Sequence, residues 1–175
     1  LPPLDRGNIT LDASNAGVVL DGSQAGGEWQ AGIDIRSSGN VVMGLEIAGF
    51  SGPGIILQDQ GGSNQIGGNR RAGSGPFGQG NLIRQCAAGI AVRLPDNLIA
   101  GNIIGTDPTG REHWGNVAAG IFLEENANRN VIGPDNLIAY NGTRGSGGGV
   151  NLHSTEPTDN IITRNNIADI KDMIG

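Results

Sequence analysis

Short apolar-alternating runs recur along this chain, each opened by a glycine and a β-branched residue. They are Gly32-Ile33-Asp34-Ile35, Gly54-Ile55-Ile56-Leu57, Gly89-Ile90-Ala91-Val92, Gly120-Ile121-Phe122-Leu123 and Gly149-Val150-Asn151-Leu152. Successive starts lie 22, 35, 31 and 29 residues apart. Self-similarity at a period of about 20–50 residues with variable insertions is the signature of a solenoid. Each repeat then buries its apolar side only against its neighbours.

Two further short apolar runs follow each opening strand, most introduced by asparagine. The second strand carries Asn40-Val41-Val42, Asn64-Gln65-Ile66, Asn97-Leu98-Ile99, Asn130-Val131-Ile132 and Asn160-Ile161-Ile162. The third carries Leu45-Glu46-Ile47, then Asn81-Leu82-Ile83, Asn102-Ile103-Ile104, Asn136-Leu137-Ile138 and Asn166-Ile167. Three brief strands per repeat, named A, B and C in order, predict three parallel sheets around an apolar column. β-Branched residues suit the buried face of such strands. A corner asparagine can bond the local backbone and the asparagine of the next coil, satisfying groups that a tight bend would strand. Ile9-Thr10-Leu11-Asp12 and Val18-Val19-Leu20-Asp21-Gly22 form a partial first coil. Five to six coils at ~4.8 Å each predict a prism roughly 26 Å long. Open sheet ends need covering, and Ile170-Lys171-Asp172-Met173-Ile174 is read as the start of a cap.

Composition agrees with many corners and few helices: the chain holds 32 glycines and 18 asparagines in 175 residues, both tolerant of positive φ. A net charge of −6 with one lysine and scattered arginines argues against nucleic acid, whose phosphates call for clustered Lys or Arg. No apolar run approaches the roughly 20 residues of a membrane span. The lone Cys86 permits no internal disulfide and reads as a small buried hydrophobe. Asn8-Ile9-Thr10 and Asn141-Gly142-Thr143 match the glycosylation acceptor pattern, which arises easily in an asparagine-rich chain. The chain begins at Leu1 without a signal peptide and is expected to be processed or a segment of a longer protein.

Asn64-Gln65-Ile66-Gly67-Gly68, Gly101-Asn102-Ile103-Ile104-Gly105-Thr106-Asp107-Pro108-Thr109-Gly110 and Val19-Leu20-Asp21-Gly22-Ser23 resemble the repeats of large bacterial secreted proteins, including CSLREA-type surface proteins. The resemblance covers about residues 8–167. It implies an all-β, single-stranded right-handed parallel β-helix of the pectate-lyase-like kind; by length the chain, residues 1–175, is one domain. The resemblance also implies a bacterial extracellular or cell-surface setting, with coils or domains of a parent chain as neighbours. The same coil carries lyases, hydrolases, adhesins and stalks, so it does not name an activity.

Alternation on strand A predicts two outward columns. The first is Asp34, Ile56, Ala91, Phe122 and Asn151; the second is Arg36, Gln58, Arg93, Glu124 and His153. With neighbours ~4.8 Å apart, Arg93, Glu124 and His153 form a contiguous stack. They are the candidate catalytic residues: His153 as acid or base, Glu124 orienting it, and Arg93 beside an anionic sugar. The plainer alternative, and the one favoured, is a solvated column with a weak ion pair. Two-carboxylate glycosidases need their acids roughly 5–9.5 Å apart, whereas Asp34 and Glu124 stand about 14 Å apart by strand spacing. Calcium-dependent lyases of the resembled fold use clustered acids that do not recur on adjacent coils of sheet A. Asp107 and Asp135 are the corner carboxylates that could hold calcium with backbone carbonyls; no metal or other cofactor is assigned.

Of six aromatics, Trp29, Phe50, Trp114 and Tyr140 fall in C-to-A corners and Phe122 faces outward on strand A. Aromatic faces beside polar columns suit sugar rings, and aromatics that merely cover the core flank are the competing explanation. Insertions fall at Gly67–Gly80 in a B-to-C corner, and at Thr106–Ala119 and Tyr140–Gly148 in C-to-A corners. Insertions on one side of a solenoid often mark its binding face. The expected ligand-binding set is therefore Arg36, Arg93, Trp114, Phe122, Glu124, Tyr140 and His153 along sheet A, with Trp114 and Tyr140 flanking. Binding of an acidic polysaccharide to Arg36 and Arg93 is expected to strengthen as His153 protonates below pH ~6.5. The function expected is a non-catalytic structural or polysaccharide-contacting module; the alternative is a polysaccharide lyase or glycoside hydrolase.

Overall fold

A computed structural model describes residues 1–145, 147–153 and 157–168. The chain winds into a parallel β-helix whose described residues contain no helix. Sheet A stacks Ile33–Ile35, Pro53–Leu57, Ala88–Val92, Ile121–Glu124 and Val150–His153. Sheet B stacks Thr10–Asp12, Val41–Met43, Gln65–Gly67, Leu98–Ala100, Val131–Ile132 and Ile161–Ile162. Sheet C stacks Val18–Asp21, Leu45–Ala48, Leu82–Arg84, Ile103–Ile104, Leu137–Ala139 and Asn166–Ala168. Every pairing is parallel and joins one coil to the next, giving the expected five to six coils. Residues 170–174, read as a cap, lie outside the described residues.

The inward columns are those the alternation predicts. Ile55, Ile90 and Ile121 pair in register, as do Leu57, Val92 and Leu123, and all are fully buried. Val42, Ile66, Ile99 and Ile132 from sheet B, with Ile47, Ile83, Ile104 and Ile138 from sheet C, complete one continuous core. The column opens to solvent at the last described coil, where Leu152 is 49% exposed.

The glycine that opens each A strand is explained by space. A Cβ placed at Gly120 would lie 2.6 Å from Ile138 Cγ2 and 2.7 Å from the Gly149 carbonyl oxygen. At Gly32 it would meet Ile47 and the Gly54 carbonyl in the same way, and at Gly89 it would meet Ile104 and the Gly120 carbonyl. The C-to-A corner thus brings backbone against the sheet C isoleucines too closely for any side chain. Gly120→Ala is expected to cost about 1–3 kcal/mol through overpacking, read as a lowered urea midpoint with the β-sheet circular dichroism retained. An unchanged midpoint would mean that the corner has room to spare.

Asparagine ladders run up the corners. In the A-to-B ladder, Asn40, Asn64, Asn97, Asn130 and Asn160 succeed one another. Each backbone N–H and side-chain Nδ2 donates to the Oδ1 of the next, over 2.8–3.1 Å. The B-to-C ladder joins Asn81, Asn102, Asn136 and Asn165. The assignment of Asn166 to it is corrected: Asn166 pairs with Leu137 inside the strand, and Asn165 turns into the corner. A third ladder, Asn116 to Asn141, occupies a C-to-A corner. Each ladder starts from the backbone N–H of an apolar residue, Ile9, Leu45 and Cys86 respectively, donated to the first Oδ1. Cys86 is the buried hydrophobe expected, and burial pushes its thiol up to about 11. Asn141 is 4% exposed and spent on its ladder, so Asn141-Gly142-Thr143 presents no accessible acceptor.

Two of the insertions pack their aromatics over sheet C, and of the second only its end, at Ala118, returns to the edge of sheet A. The Gly67–Gly80 loop leans on the first coil through Gly75 N to Ser14 O and Ser74 N to Asn15 Oδ1. Its Phe77 packs with Leu82 and Ile103 on the outside of sheet C, where Trp114 and Leu137 join them. The loop carrying Trp114 thus helps roof the same face with a second small core. The third insertion returns along the preceding corner, Gly142 N and Thr143 N donating to Asn116 O.

Candidate functional site

With two insertions turned to sheet C, sheet A keeps an open outer face. A groove of about 200 Å³ runs along it. Its floor is the first outward column: Ile56 and Ala91 are buried and Phe122 is half-buried. One wall is the C-to-A corner, where Trp29 stands 51% exposed above small side chains such as Ala88 and Ala118. The opposite wall is Arg93 and Glu124 from the second column. Ala91 opens the space, since the adjoining coils place Ile56 and Phe122 at its register position, and Ala88 stands in register with Pro53. The Trp29 segment is held by Gln30 N to Ser51 Oγ (3.0 Å) and Gly52 N to Gln30 O (2.8 Å).

The second column is a linked polar network. Arg36 donates through Nε and Nη2 to Asp34 Oδ2 at 2.8 and 2.7 Å, and its Nη1 lies 3.4 Å from Asp59. The hydrogen bond to Asp34, aided by that carboxylate's charge, raises the Arg36 pKa. Gln58 Nε2 donates to Asp34 Oδ1 at 3.1 Å, and Gln58 Oε1 accepts from Arg93 Nη1 at 3.3 Å. Arg93 Nε donates to Glu124 Oε2 at 2.7 Å. The network therefore crosses four coils with each guanidinium already on a carboxylate.

Of the expected site residues, Arg36, Arg93, Phe122, Glu124 and His153 do share this face. His153 is paired in register with Glu124, yet its ring stacks on Phe122 at 5.2 Å between centroids. Among the described residues no hydrogen bond or ion pair joins it to Glu124. The hydrogen-bond partner of Glu124 in this column is Arg93 rather than the expected His153. Trp114 and Tyr140 are not at this groove. Trp114 packs under the Arg84 guanidinium, 5.1 Å from its ring centroid, while Arg84 pairs with Glu46 on sheet C. Tyr140 stacks on His113 at 3.8 Å and donates its hydroxyl to Gly110 O. Phe50 turns inward against the core. Of the corner aromatics, the one that reaches the groove is Trp29. Its corner position was legible, but the alanine that clears its path lies two coils further on.

No known protein family, curated protein or solved structure matches this chain.

Among the described residues no three His, Cys, Asp or Glu side chains converge as a metal site, and no helix is long and apolar enough to cross a membrane. Asp107 is committed to its own loop. Its carboxylate accepts the Thr109 hydroxyl at 2.6 Å and the backbone N–H groups of Thr109, Arg111 and Glu112 at 2.8–3.0 Å. These donors, the Thr109 hydroxyl foremost, hold its pKa well below the usual carboxylate range. A depressed native pKa contributes stability that is present above pH ~4 and is lost as pH falls toward the native value. The Arg111 and Glu112 amides should accordingly lose hydrogen-exchange protection on acidification below pH ~4. Asp107→Asn should show the same loss at neutral pH. Equal protection factors under all three conditions would overturn this.

Proposed function

We propose that this chain is a non-catalytic, extracellular β-helix module that contacts polysaccharide through the outer face of sheet A. The observation that carries the proposal is the groove itself. An apolar floor with an exposed indole on one side and a donor–acceptor pair on the other matches the two characters of a sugar ring. Pairing of Arg93 with Glu124, and stacking of His153 on Phe122, supports binding over acid–base turnover, which needs a group aimed at a proton in transfer. The extracellular, bacterial setting follows the likeness of the Gly-Asn-Ile-Ile-Gly-Thr-Asp repeat to secreted repeats. Leu152, Ile162 and Ile167, exposed and apolar at the last described coil, suit neighbouring coils or domains of a longer chain.

A glycan array tests the proposal. Binding of at least one oligosaccharide is expected, abolished in Trp29→Ala and Phe122→Ala and retained in Trp114→Ala. Cleavage of a bound sugar that vanishes in Glu124→Ala would replace the proposal with a polysaccharide lyase or glycoside hydrolase. Binding unaffected by Trp29→Ala would sink the groove.

A further inference from the structure

The charge state of the groove narrows what it can hold, given that it is a glycan site at all. The second column and the residues bonded to it bring together two guanidinium groups, Arg36 and Arg93, and three carboxylates, Asp34, Asp59 and Glu124. Two positive and three negative charges leave a local charge of −1 with His153 neutral. Neither arginine is free. Arg36 is held by Nε and Nη2 on one Asp34 oxygen, and Arg93 is held by Glu124 at 2.7 Å and by Gln58 at 3.3 Å. The Arg93 and Glu124 side chains are only 33% and 18% exposed, so their attraction is less screened than that of a fully solvated pair. A uronate entering the groove would have to displace the Glu124 carboxylate from Arg93, and then share the groove with that carboxylate at close range. A neutral sugar meets no such opposition.

We propose that the groove is selective for neutral hexose chains, and that Glu124 determines this specificity by occupying Arg93. The pair keeps hydrogen-bonding capacity for hydroxyls. Glu124 Oε1 and Arg93 Nη2 have no protein partner among the described residues, so an acceptor and a donor stand side by side for two neighbouring sugar hydroxyls. The C–H face of the same ring would rest on the floor formed by Ile56, Ala91 and Phe122, against Trp29. This assignment replaces the expectation, drawn from strand alternation alone, that Arg36 and Arg93 would recruit an acidic polysaccharide. Alternation places the arginines outward but does not show that each is matched by a carboxylate from its own or the adjoining coil.

The experiment is a titration of cellohexaose, mannohexaose and hexagalacturonate into the native protein and into Glu124→Gln, followed by tryptophan fluorescence and calorimetry. The native protein should bind one of the neutral chains at least about ten-fold more tightly than the uronate. Glu124→Gln, which frees Arg93 without removing bulk, should narrow or reverse that ratio. Uronate binding as tight as neutral binding in the native protein would overturn the specificity while leaving the groove a glycan site. An unchanged ratio in a folded Glu124→Gln would remove Glu124 as its cause. Failure of all three chains to bind would sink this proposal and the glycan-contacting function together.

Discussion

Replacing Asn97 with leucine is expected to destabilise the protein by about 3–6 kcal/mol, since each buried polar group left unpaired costs roughly 1–3 kcal/mol. Asn97 is fully buried in the middle of the A-to-B ladder. Its Oδ1 accepts the backbone N–H and the Nδ2 of Asn64, at 2.9 and 3.0 Å. Its Nδ2 donates to Leu94 O and Asn130 Oδ1, both at 2.8 Å. Leucine matches the volume but strands two donors on Asn64 and the Leu94 carbonyl, all away from water. A domain stabilised by only about 5–15 kcal/mol would lose a large part of its margin. Asn97→Asp is the informative companion. It keeps an acceptor for Asn64 but sets a carboxylate oxygen against Asn130 Oδ1, so it too should unfold at lower urea. Asn126→Leu, outside the ladders, should leave the midpoint close to native. Wild-type stability in Asn97→Leu would show that the corner amides are ornamental to a core that holds itself together.

The fold was legible because a solenoid writes each constraint several times. One Gly-Ile pair is a weak signal; five at solenoid spacing, each followed by Asn-aliphatic runs, fix strand, corner and facing together. The Asn165/Asn166 exchange shows where this legibility stops. Both residues precede the same isoleucine closely, and only the register with Leu137 decides which one turns into the corner. Asn116 and Asn141 went unseen as a ladder because insertions separate them from the strands whose spacing would have revealed them. The glycine column is the opposite case: its regularity was the first thing visible, and its cause is the approach of the sheet C isoleucines, which no one-dimensional pattern contains.

The site was legible in its outward columns and not in its walls. Strand alternation placed Arg93, Phe122, Glu124 and His153 on one face, because side-chain direction within a strand is a local property. Which wall a loop builds is not local. The Thr106–Ala119 insertion begins beside the edge of sheet A in sequence, yet Leu82, Ile103 and Leu137 offer apolar surface on the outside of sheet C, and Trp114 is drawn there. Burial of that surface decided the path, and it left the groove to Trp29 alone among the corner aromatics.

Ile121→Ala is expected to cost about 2–5 kcal/mol, the range for truncating a buried aliphatic side chain. Ile121 is fully buried, with Ile90 and Val150 directly in register above and below it. Two features set the cost toward the upper end. The neighbours are held by their own strand pairings, so the column cannot collapse sideways into the void. In a solenoid the loss also weakens both interfaces of the coil, on which the stability of each repeat depends. Leu152→Ala, an inward position in the last described coil but 49% exposed, should cost clearly less, because much of its surface is already in water. Phe122→Ala, one residue along the same strand but facing out, should change stability little while removing the groove floor. The three variants together separate inward, terminal and outward positions by urea midpoint alone. A loss below about 0.5 kcal/mol for Ile121→Ala, the range of surface substitutions, would mean that sheet A presents its other face to the core.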